Sequence, residues 1–123
     1  MSSAKLYFHV FFSPLADSLG NVKSGTLFYP NWVTGHGGFV KKIGRIAHCS
    51  IVFNANTDVY ETTEPYHFCT LPENFRPLDY FCFDHPILGI VEINTNGVTT
   101  FKFNKEFSTV NWMSVYLSFI TSN

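Results

Sequence analysis

Charge is scarce in this sequence. Asp, Glu, Lys and Arg make up only 14% of the 123 residues, against about 25% in an average soluble domain. A net charge of −1 and a lone short cation cluster at Lys41, Lys42 and Arg45 leave no basic stripe for a phosphate backbone, which argues against general nucleic-acid binding. No uncharged apolar run is long enough to cross a bilayer, so membrane insertion is not expected. The first residues lack the basic, apolar, small-residue order of a secretory signal, so synthesis without a signal peptide is the expectation. The three cysteines, Cys49, Cys69 and Cys82, include no CxxC pair. Each sits in an apolar, strand-like run, so we expect small buried hydrophobes in a reducing compartment rather than a disulfide framework.

Catalytic signatures are absent as well. The chain has no P-loop, no dinucleotide-binding glycine fingerprint, no HExxH and no GxSxG. Its five histidines, His9, His36, His48, His67 and His85, include no close pair at metal-ligand spacing, so no metal is expected. Asp79 and Asp84 fall on opposite parities of an expected strand, hence on opposite faces, and make a poor carboxylate pair for glycoside hydrolysis. No catalytic residue is assigned.

What the chain has in quantity is aromatic and β-branched residues: 46% of it is hydrophobic and 18% aromatic. They recur at period two, and no window sustains a helical period. Strands are expected at residues 6–12, 26–29 (stopped by Pro30), 39–42, 45–53, 66–70, 78–84, 87–94, 98–103 and 112–121. Residues 59–65 are ambiguous, a short edge strand at most. In 45–53 the odd positions Ala47, Cys49, Ile51 and Phe53 form a wholly apolar face. Asn96-Gly97 marks a hairpin, expected to be a two-residue turn with positive φ at both centres. Residues 31–38 hold three glycines in four positions and read as a loop open to close backbone approach.

The stretch Leu71-Pro72-Glu73-Asn74-Phe75-Arg76-Pro77 organises the rest. Two prolines remove two donors and fix φ twice, so the segment is a rigid corner between two strands. Phe75 is expected to fold onto the core. Arg76, a planar fork of donors, either ties down loop carbonyls or faces a partner. The whole is expected to be an all-β antiparallel β-sandwich, jelly-roll-like, of about eight or nine strands, forming one domain. Residues 1–25 make its N-terminal strand and connector, and residues 26–123 its core. Of the two tryptophans, Trp112 is expected to cover an open end of the sandwich. For Trp32, beside His36 and the glycines, a cover and a ligand platform stand equally open.

The order of features resembles the C-terminal head domains of bacteriophage and prophage tail-fibre and baseplate receptor-binding proteins. It runs Asn31-Trp32, Lys41-Lys42-Ile43-Gly44, the Leu-Pro-x-x-Phe-Arg-Pro corner, the Ile-rich strand 87–93, Asn96-Gly97 and the Trp-led strand 112–120. The resemblance implies a homotrimeric, jelly-roll-like head at the virion tail tip. Such a head recognises wall polysaccharide or teichoic acid on the host, alongside other tail and baseplate proteins, with no cofactor and no turnover. Trp32, His36, Asp58, Tyr60 and Arg76 are the candidate sugar contacts on this chain. A ligand-free trimerisation or tip module is the alternative, and a wall-polysaccharide depolymerase a more distant one.

Overall fold

In a computed structural model describing residues 22–55, 64–103 and 110–123, the period-two pattern becomes nine strands and no helix among the described residues. They are β1 Lys23–Gly25, β2 Val33–Gly35, β3 Phe39–Ile43, β4 Ile46–Ala55, β5 Tyr66–Thr70, β6 Phe81–His85, β7 Gly89–Ile93, β8 Val98–Lys102 and β9 Val110–Ile120. All pairings are antiparallel, in a five-stranded and a four-stranded sheet. In the first, β4 is the spine. Its N-terminal half pairs with β3, which carries β1, and its last residues pair with β2. β9 runs along the whole of its other edge.

The alternation of β4 decides what lies between the sheets. Ala47, Cys49, Ile51 and Phe53 are each 0% exposed. Phe53 meets Phe68 of the opposite sheet ring to ring at 4.9 Å, and Phe101 at 6.3 Å. Val91 and Ile93 from β7, Phe101 from β8 and Phe103 just after it complete the same apolar cluster. Burying a large side chain of this kind is worth roughly 1.5–3 kcal/mol, so this layer supplies the main driving force for closing the two sheets.

The four-stranded sheet has the order β5-β8-β7-β6. Three strands joined by hairpins, with β5 lying beside the last of them, form a Greek key. Residues 71–80 carry the chain from one edge of this sheet to the other, which is why a braced corner is needed there. Phe75 is buried, as expected, and its N–H bonds the Pro72 carbonyl in a turn that puts Asn74 at φ 74°. Arg76 Nε donates to the Leu71 carbonyl at 3.3 Å. Leu71 N–H reaches Gly97, Leu78 N–H reaches Ile120, and Ser122 N–H reaches Arg76. The corner is thereby stitched to the β7–β8 hairpin and to the end of β9.

Several sequence expectations need correction. The strand expected at 26–29 lies earlier, as β1. Residues 26–29 instead cross between the sheets, with Phe28 bridging Thr70. The glycine-rich stretch is not all loop, because Val33–Gly35 pairs with β4. β6 begins at Phe81, so Asp79 lies outside any strand and the parity argument about it does not apply. The Asn96-Gly97 hairpin is present, but Asn96 is not at positive φ; only Gly97 is, at 88°. Gly97 N–H bonds the Asn94 carbonyl and Asn94 N–H the Val98 carbonyl, giving a three-residue loop closed by a glycine bulge. The expected strand at 6–12 and the ambiguous 59–63 lie outside the described residues.

Candidate functional site

β9 does not pair evenly with β4. Phe53 faces Met113, but Ala55 faces Val110, so two residues of β9 oppose the single Asn54. The second of them, Trp112, sits at φ 52°. A bulky residue in the left-handed region costs about 1–2 kcal/mol, and such strain persists only where surroundings enforce it. The enforcement is visible: Asn54 Oδ1 accepts the Trp112 N–H, replacing the ladder bond that the bulge breaks. The result is an indole held 66% exposed at the surface.

That indole is not isolated. His36 follows β2 directly, its N–H bonded to the Val52 carbonyl at 2.8 Å. Its ring stacks on Trp112 with centroids 4.1 Å apart and planes 28° apart. His36 Nε2 is buried with no hydrogen-bond partner, a state that usually costs free energy and calls for an explanation. Strand spine, bulge and stacked imidazole together hold the indole at the surface.

The other sequence-predicted residues fall elsewhere. Trp32 is half-buried and packs against Tyr66 at 6.0 Å and Phe101 at 6.2 Å, so it closes the core. Of the two readings left open for Trp32 the structure shows the cover, whereas Trp112, expected to cover an end of the sandwich, stands exposed. Arg76 serves the corner through its bond to Leu71. Asp58 and Tyr60 lie outside the described residues. The structure therefore brings His36 together with Trp112 and Asn54, neither of which the sequence nominated. A one-residue slip in strand pairing leaves no mark on hydrophobic periodicity, which is why Trp112 was missed.

The glycines beside His36 also have a packing role. A Cβ on Gly35 would fall 2.3 Å from the Tyr29 ring, and one on Gly38 would fall 2.5 Å from the Ser50 carbonyl. They admit Tyr29, whose hydroxyl is buried without a partner and whose pKa rises above its ordinary range through burial and the nearby Cys69 and Cys49 thiols.

Burial pushes the Cys49 thiol well up and the Cys69 thiol up to about 12, away from reactive thiolate. Cys82, expected to be buried, is exposed, because it occupies an outward position on β6. It pairs in register with Glu92, whose Oε2 accepts the Tyr80 hydroxyl at 2.9 Å. That bond is the main reason the Tyr80 pKa is raised to about 12. Among the described residues no group of three His, Cys, Asp or Glu side chains is placed to hold a metal. Comparison with family models, curated proteins and solved structures finds no match.

Proposed function

We propose that this protein is a saccharide-binding head domain without turnover, of the kind carried at the tip of bacteriophage tails, and that it works as a homotrimer on host wall polysaccharide or teichoic acid. The observation that carries the reading is Trp112, an indole kept two-thirds exposed by a bulge that strains its own backbone. A pyranose ring presents C–H groups on one face and hydroxyls at its rim, and an indole with polar atoms at its edge complements both. Here the Asn54 side chain fixes the Trp112 backbone, and stacking on His36 restricts the indole before any ligand arrives, which lowers the ordering cost of binding.

Support for self-association comes from the opposite end of β9. Ile46 and Ile120 pair across β4 and β9 while 49% and 57% exposed, and Leu78 and Tyr80 stand 46% and 50% exposed near them. With so few charges on the chain, copies meeting on this apolar flank would bury surface that is otherwise unfavourable in water. One preparation tests both parts. Sedimentation should give three times the monomer mass, and fragments of host wall polymer should bind wild type but lose at least about tenfold in affinity to Trp112→Ala, the scale of one lost aromatic stack. Trimers that bind no wall fragment would favour the ligand-free tip module. Monomers that bind equally with and without Trp112 would sink the reading altogether.

A further inference from the structure

Lys23 and Lys42 lie directly opposite each other in the β1–β3 pair. Like charges in that position repel and weaken a sheet. Lys42 is only 5% exposed, with its ammonium 5.1 Å from the centroid of the Phe75 ring. Two of its three N–H donors are spent, on the main-chain oxygens of Asn74 and Asn123. Beside the ammonium lies a cavity of about 560 Å³, open to solvent and lined by Lys23, Ser24, Lys42, Asn74, Phe75 and Asn123. Among the described residues, no side chain in that lining is acidic. Burial first, and Lys23 second, push the Lys42 pKa down, as expected of a cation short of a counter-ion.

We propose that this notch is an oxyanion site, taking a phosphate or carboxylate group of a ligand between the ammoniums of Lys23 and Lys42. Lysines act here as compact point charges, which suit a phosphate oxygen. The anion relieves the repulsion between the two facing lysines. The notch is remote from Trp112: Lys42 pairs with Ala47 and Trp112 lies opposite Asn54, seven residues further along β4, or roughly 23 Å at strand rise. Its occupancy therefore answers to its own test, whatever happens at the indole.

The test is a backbone amide NMR titration of the full chain with inorganic phosphate, glycerol phosphate and galacturonate in turn. Wild type should show saturable shifts at Lys23, Ser24 and Asn74, and Lys23→Gln should weaken binding by roughly tenfold, the worth of one charge-assisted hydrogen bond. Lys23→Glu should abolish those shifts while raising the melting temperature, because it replaces a repulsion with an attraction. That variant keeps the test decisive, since a loss of binding in a more stable protein cannot be blamed on unfolding. Tighter glycerol phosphate identifies a phosphodiester polymer as the source, and tighter galacturonate an acidic sugar; either supports the site. Absence of shifts in wild type, or equal shifts in Lys23→Glu, overturns it.

Discussion

Trp112, Asn54 and His36 show how one residue acquires a role through its backbone. An aromatic inside a regular strand alternates in or out. Placed on a bulge with its N–H captured by Asn54, Trp112 is turned out and over His36. The cysteines show the same dependence on position. Cys49 and Cys69 face inward and are buried, whereas Cys82 is exposed. Reactivity follows thiolate fraction and access, so the native protein should react with a thiol reagent at Cys82 alone, and all three thiols should titrate only after unfolding. Fast reaction of a second thiol in the native state would mean that the layer around Cys49 and Cys69 opens readily. Composition placed all three cysteines in apolar strands, but only the register of β6 separates the third from the others.

At the scale of elements, the corner and the β7–β8 hairpin act as one unit. Leu71 donates to the Gly97 carbonyl, Arg76 returns to the Leu71 carbonyl, and the Gly97 Cα faces both. A Cβ at Gly97 would lie 2.5 Å from the Leu71 oxygen, on a backbone at φ 88°. Gly97→Ala should therefore destabilise the fold by about 2–3 kcal/mol, measured by denaturant unfolding. Arg76→Ala, which removes one hydrogen bond to a carbonyl, should cost only about 1 kcal/mol. A Gly97→Ala change within experimental error of wild type would show that hairpin and corner are not coupled. This unit was largely legible in the sequence: the prolines, Phe75, the donor fork of Arg76 and the Asn-Gly pair each carry local chemistry that dictates conformation. The turn type was not, because a two-residue and a three-residue loop share the same Asn-Gly signal and only the strand register decides between them. β1 was misplaced and β2 read as loop for a related reason: three-residue strands are too short for alternation to register, and tertiary pairing alone defines them.

For the whole molecule, alternation and turn chemistry gave the all-β sandwich, because each face of a long strand such as β4 must commit to core or surface along its length. The exposed indole of Trp112 did not follow from that logic, since it sits where pairing departs from regularity. The central claim is that the strained indole exists to stack on sugar. The measurement that reaches it most directly is the titration of host wall saccharide fragments, followed through the two indole N–H signals of the chain. The account predicts that the Trp112 signal shifts and saturates while that of Trp32, closing the core, stays in place. Movement of Trp32 with Trp112 unaffected, or no movement of either, would contradict it.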